Sequence, residues 1–125
     1  MSGRSAQQAL ERARAEGRAA LITYLPVGYP DVPTSVAAMQ AMVEAGADVV
    51  EIGVPYSDPL MDGTIIQHAV EAALRGGSRV HDVFTAVEAV AAAGAPAEVM
   101  TYWNLVDRHG VDAFAADLSA AGAPG

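Results

Sequence analysis

The chain has 125 residues, 52% of them hydrophobic, with 15 acidic side chains against seven arginines and no lysine, giving a formal charge of −8 at pH 7. A field of that sign repels nucleic acid and anionic membrane surfaces, and the lack of cysteine excludes disulfides and thiolate metal sites. The length suits one domain with a modest core, and the scattered glycines and prolines form no low-complexity tract.

The first twenty residues alternate charge with alanine and lack the apolar run of a secretory signal, so the cytoplasm is the expected compartment. Asp48, Glu51 and Asp58 interrupt the richest apolar region, so no membrane span is expected. Residues 5–17 predict an exposed, charge-rich helix ended by Gly17, and Leu21 to Leu25 predict a short strand stopped by Pro26. Gly28, Pro30 and Pro33 predict a loop, after which Val36, Met39 and Val43 recur at helical spacing up to Gly46.

Asp48 to Ile52 reads as a parallel strand covered on both faces, because its apolar run does not alternate. It feeds the loop VPYSDPLMDG at 54–63. Ile65, Ile66, Ala69, Val70, Ala73 and Leu74 predict a helix ending at Gly76-Gly77, and Ser78 predicts the cap of another carrying Val80, Val83, Phe84, Val87 and Val90, closed by Gly94. Ala97 to Tyr102 reads as a third strand, Trp103 to Gly110 as a loop, and Val111, Phe114, Ala115 and Leu118 as one face of a last helix.

The order is one helix followed by three β–loop–α units. Ala45-Gly46-Ala47, Ala93-Gly94-Ala95 and Ala121-Gly122-Ala123 each close a helix, and the first two lead into strands, so the repeat calls for a fourth strand after the third triplet. Closing a (β/α)8 TIM barrel takes eight strands and about 250 residues. Residues 1–125 are therefore expected to be the N-terminal part of a single α/β barrel domain, a helix plus about three β/α units of an incomplete barrel, with a shorter open sheet as the alternative.

Glu51 falls inside an apolar run near a strand end, where (β/α) folds gather catalytic groups. A carboxyl in dry surroundings favours its neutral form and can exchange a proton near neutrality, although a structural carboxylate would suit the same place. Asp62, eleven residues later in the loop that leaves this strand, can reach the same pocket, so that one acid shuttles a proton while the other is a fixed charge. Asp62 and Asp58 equally suit turn chemistry or helix capping, and a pair of acids also fits a glycosidase. Tyr24 and Tyr102, at the ends of the first and third strands, can wall an aromatic substrate or simply pack, and so can Trp103. His68, His81 and His109 lack metal-ligand spacing and read as solvated surface, so no metal site is expected. Gly76-Gly77 follows a helix instead of opening one, which makes it a cap and not a phosphate cradle.

The string Val50 to Gly63, VEIGVPYSDPLMDG, resembles the E-[LI]-G-[VIL]-P-[FY]-S-D-P-x-x-D-G signature of the tryptophan synthase α subunit family. Leu25 to Pro30, Ala45 to Asp48 and Met100 to Asn104 resemble the same family's strand-flanking segments, and the likeness runs over residues 5–125. The resemblance implies a carbon–carbon lyase of tryptophan, hence aromatic amino-acid, biosynthesis. Such an enzyme splits indole-3-glycerol phosphate into indole and glyceraldehyde 3-phosphate by retro-aldol chemistry. It needs no cofactor of its own and passes indole to a β subunit that carries pyridoxal phosphate, in an α2β2-type complex.

By position, Glu51 matches the family's general acid/base and Asp62 the carboxylate that bonds the indole N–H. Tyr24 and Tyr102 match substrate-pocket positions, while Pro55, Tyr56, Ser57, Asp58 and Pro59, with Asn104, match the face that meets the β subunit. Thr64 departs from the family's usual proline. The family's phosphate site lies after its seventh and eighth strands, so these 125 residues alone are expected to be inactive. The alternative is a folded, non-catalytic chain acting only by self-association or subunit association. A phosphoribosyl isomerase is disfavoured, because it would put paired aspartates or a cysteine at its strand ends.

Overall fold

The structure is a computed structural model describing residues 5–124; positions 1–4 and 125 of the expected 1–125 domain lie outside the described residues. Helix α1 (Ala6–Ala15) starts at a reciprocal cap, in which Ser5 Oγ accepts from the Gln8 N–H and Gln8 Oε1 accepts from the Ser5 N–H, both at 3.2 Å. There follow β1 (Ile22–Pro26), α2 (Val32–Glu44), β2 (Val49–Gly53), α3 (Thr64–Arg75), α4 (Val80–Ala93), β3 (Ala97–Met100), α5 (Trp103–His109) and α6 (Val111–Ala121).

The strands form one parallel sheet in the order β1-β2-β3, with Tyr24 opposite Glu51 and Glu51 opposite Glu98. Side chains alternate along a strand, so this register sorts them onto two faces. Leu25, Val50, Ile52, Ala97 and Val99 pack with Met39 of α2 and with Val83, Val87 and Val90 of α4 to make the core. The opposite face carries Ile22, Tyr24, Glu51, Glu98 and Met100; Ile22 and Met100 are each 51% exposed, and the tyrosine and both glutamates are half-buried. The central strand β2 bears out the expectation of cover on both faces, since Val49 and Gly53 on the Glu51 side are buried like Val50 and Ile52, and only Glu51 itself is half-buried.

At the far end of β1 and β2, Arg18 donates twice to the Asp48 carboxylate, both at 2.8 Å, and the Leu21 N–H donates to it at 2.8 Å. These bonds tie the starts of the two strands together. The three Ala-Gly-Ala triplets share a geometry, with Gly46, Gly94 and Gly122 at φ of 112°, 103° and 103°, the left-handed turn that closes a helix without a Cβ penalty.

Several expectations need correcting. Residues 103–109 form helix α5 and not a loop, held by Val106, which is buried with Phe84 and Phe114; one buried turn is too short for periodicity to register. The third strand ends at Met100, two residues early, and β1 and β2 each sit one residue later than their apolar runs suggest. Ser78 is not a cap: it is buried, and its Oγ donates to the Val27 carbonyl at 3.2 Å, while α4 is capped at Arg79, whose N–H donates to Asp82 at 2.7 Å. Pro33 lies in the first turn of α2, where no N–H is needed, behind the Asp31 cap. Among the described residues no helix is long and apolar enough to cross a membrane.

Candidate active site

The site sits where β1, β2 and β3 end. Tyr24 points from the open face of β1 and lays its ring across Gly53; a Cβ there would come within 2.8 Å of Tyr24 Cζ and 3.0 Å of Cε2, so only glycine leaves room. The Tyr24 hydroxyl is pushed up to about 12, first by burial and then by the negative charges of Asp62 and Glu51 and by Tyr102. It stays a protonated donor at neutral pH, and both acids act on it from their separate elements. Glu51 is half-buried, on the sheet face opposite the core.

A cavity of about 330 Å³ is lined by Tyr24, Val54, Met61, Asp62, Met100, Thr101, Tyr102 and Trp103. That volume suits a small aromatic molecule. Asp62 therefore enters the hollow directly, while Glu51 lies one register step along the sheet face from Tyr24, outside its lining. Asp62 and Asp58 do not cap α3: the cap position is Gly63, with no side-chain bond. This leaves the Asp62 carboxylate uncommitted to secondary structure.

The loop between β2 and α3 is held mainly through its backbone. The Leu60 N–H donates to the Asp58 carbonyl at 2.8 Å and the Asp62 N–H to that of Pro59 at 3.2 Å. From α3, Gln67 Nε2 donates to the carbonyls of Asp62 at 2.8 Å and Pro59 at 3.3 Å. From the end of β3, the Tyr102 hydroxyl accepts from the Met61 N–H at 3.0 Å. The Tyr102 and Tyr56 rings lie 4.9 Å apart, and Asn104 Nδ2 donates to the Tyr56 hydroxyl at 3.2 Å. Tyr102 thus lines the cavity, as a substrate-wall residue would, and also grips the loop.

The positions assigned to a subunit face gather on one rim. Pro55 is buried, Tyr56 and Pro59 are half-buried, and Ser57, Asp58 and Asn104 are exposed beside Leu60, Met61 and Trp103, which are 86%, 87% and 65% exposed. All three histidines are exposed and outside the cavity beside Tyr24: His81 and His109 both contact Phe84 and line a separate surface hollow, where His109 packs between Phe84 and Phe114 and its Nε2 lies 2.7 Å from Asp117. Among the described residues no group of side chains could hold a metal ion.

Three contributors escaped the sequence reading. Gln67 gave no signal beyond a polar position on a helix. Ser35, wholly buried, accepts from the Gly28 N–H at 2.9 Å and donates to the Val32 carbonyl at 2.8 Å, fixing the loop after β1. Glu98 carried the same signal as Glu51, a charge inside a strand, but only the register reveals them as neighbours.

The profile of the family described as Tryptophan synthase alpha chain matches residues 10–125. The chain is 68% identical over 112 residues to the tryptophan synthase alpha chain of Mycobacterium tuberculosis, covering 90% of this chain and 42% of that one. It is 67% identical over 115 residues to that of Mycobacterium avium, covering 92% and 42%. The chain therefore spans less than half the length of these relatives. Its fold superposes on the crystal structure of tryptophan synthase from M. tuberculosis in the aminoacrylate-bound form with a TM-score of 0.93 at 63% identity, covering 96% of this chain and 49% of that one. On tryptophan synthase subunit alpha from Legionella pneumophila the TM-score is 0.88 at 34% identity, covering 94% and 46%. The three parallel strands and their helices are accordingly part of a TIM barrel.

Proposed function

Because this chain belongs to the tryptophan synthase alpha chain family, we propose that it serves the lyase step of tryptophan biosynthesis, the retro-aldol cleavage of indole-3-glycerol phosphate to indole and glyceraldehyde 3-phosphate. The observation that carries the reading is that Asp62 and Tyr24 line one cavity of about 330 Å³ while Glu51 stands opposite Tyr24 in the strand register.

In this proposal the indole ring occupies the cavity and Asp62 accepts a hydrogen bond from its N–H. Glu51 delivers a proton to indole C3, and the cation formed on the ring is stabilised by the fixed Asp62 charge. Loss of the proton from the adjacent glycerol hydroxyl lets its O–H electrons form an aldehyde. The C–C bond breaks, its electrons return to the ring, and Glu51 recovers a proton. No cofactor takes part in this chain.

The open face of the sheet needs further strands to become a dry barrel interior, and the field of a segment with 15 acidic side chains against seven arginines works against holding the substrate phosphate. We therefore assign the reaction to the barrel completed by more sequence, and expect residues 1–125 alone to be inactive. The rim formed by Pro55, Tyr56, Ser57, Asp58, Pro59 and Asn104, with its exposed apolar neighbours, suits a β subunit carrying pyridoxal phosphate in a cytoplasmic α2β2-type assembly. The same apolar rim favours the second reading, association without catalysis. Indole release by the complete α chain separates the two: Glu51→Gln should lower kcat by about 100- to 10,000-fold. An unchanged rate would leave only association.

A further inference from the structure

We propose that Gln67 is a positioning residue for Asp62, and that it works with the Tyr102 hydroxyl as a two-sided latch on the loop between β2 and α3. The inference rests on the role proposed for Asp62.

Asp62 stands in a loop with little anchoring of its own. Leu60 and Met61, the two residues before it, are 86% and 87% exposed, so no burial of their side chains fixes the backbone. No side chain caps α3 at Gly63, so the helix start does not fix it either. The start of the loop is tied to β3 and α5 by the Val54 N–H to the Met100 carbonyl and by Asn104 to the Tyr56 hydroxyl. In residues 59–62, apart from the internal bonds Leu60 N–H to Asp58 and Asp62 N–H to Pro59, the polar anchors come from two side chains on different elements. Gln67 uses one amide nitrogen for two carbonyls, those of Pro59 and Asp62, and so brackets the turn that contains Leu60 and Met61. Tyr102 holds the amide of Met61 from the opposite side.

The two anchors are chemically complementary. Gln67 supplies donors to carbonyls, Tyr102 an acceptor to an amide, and together they fix the peptide units that follow Pro59, precede Met61 and follow Asp62. The direction of the Asp62 carboxylate then follows from the backbone. Gln67 faces away from the cavity, into a separate surface hollow between the loop and α3 lined by Tyr56, Ser57, Pro59, Val70, Glu71 and Leu74. It cannot touch a molecule bound beside Tyr24, so any catalytic effect of Gln67 must pass through the loop. Tyr102 lines the cavity itself, which makes it the less clean probe.

The test is a double-mutant cycle in the complete α chain, reading kcat and KM for indole-3-glycerol phosphate cleavage. Gln67→Leu keeps the helix propensity and approximate size but removes both donors. A misplacement near 1 Å can cost about 100-fold, so Gln67→Leu should lower kcat by roughly 10- to 100-fold, and Tyr102→Phe, which keeps the ring and its stack on Tyr56, by a similar factor. In an Asp62→Asn background, Gln67→Leu should change kcat by less than about threefold, because the residue it aims is already disabled. Amide hydrogen exchange of the same proteins should show faster exchange at Met61 in Tyr102→Phe and at Asp62 in Gln67→Leu, with protection in β2 unchanged. A loss of kcat that multiplies undiminished in the Asp62→Asn background overturns the latch. So does full activity of Gln67→Leu with unaltered loop exchange. If Asp62→Asn alone were fully active, the failure would belong to the proposed function. General unfolding would show as lost protection in β2.

Discussion

Gly53→Ala tests the packing that sets the site. The new Cβ would approach Tyr24 Cζ to 2.8 Å and Cε2 to 3.0 Å, where ordinary contact begins at 3.4 Å, and the hydroxyl lies nearer still. The ring must retreat by at least about 0.6 Å, at an overpacking cost of about 1–3 kcal/mol. Against this, Gly53 does not have a positive φ, so alanine fits its backbone and restricts the unfolded chain, which returns about 0.4–1 kcal/mol. The net expectation is a destabilisation of about 1–2 kcal/mol in urea unfolding. The sign should invert in a Tyr24→Ala background, where the clash is gone and only the unfolded-state gain of up to about 1 kcal/mol remains. Equal destabilisation in both backgrounds, within about 0.5 kcal/mol, would refute the claim that Gly53 exists to admit the Tyr24 ring.

Ser35→Ala should cost about 1–3 kcal/mol in chemical denaturation by leaving the buried Gly28 N–H without an acceptor; a loss within error would mean that water replaces the hydroxyl. The Arg18 guanidinium, and then the Leu21 N–H, hold the Asp48 carboxyl well below the usual carboxylate range. A depressed native value stabilises above the unfolded pKa of about 4 and loses that effect as pH falls, so the Tm gap between the parent protein and Asp48→Asn should narrow from pH 7 towards pH 3. A constant gap would contradict the pairing. The Tyr24 hydroxyl is pushed up to about 12, so an ultraviolet titration should show a late phenolate that Tyr24→Phe removes. Because the raised value belongs to the folded state, its contribution is complete below about pH 10 and fades as pH rises through 12.

The elements that bury a long apolar stripe were legible from spacing alone: α4 shows Val83, Val87 and Val90, and these residues form the core. Helix α5 was not, since its only buried side chain is Val106 and its cohesion comes from Phe84 and Phe114, distant in sequence. Ser78 misled because a serine before an apolar stripe looks like a cap, whereas a buried carbonyl of Val27 claims its hydroxyl. At the site, the residue types of Glu51 and Asp62 and the loop between them could be read directly, and so could Tyr24 and Tyr102. What could not be read was the bonding among them. Tyr102 to Met61 spans 41 residues, and Gln67 to Asp62 is a side-chain-to-backbone contact that hydrophobic periodicity does not encode.

The most direct measurement is a crystal structure of the complete α chain carrying Glu51→Gln, with uncleaved indole-3-glycerol phosphate bound. The indole ring should lie in the hollow beside Tyr24, its nitrogen about 2.7–3.2 Å from an Asp62 oxygen and residue 51 facing ring carbon C3. An indole nitrogen turned away from Asp62, or a ring seated outside that hollow, would contradict the proposed function.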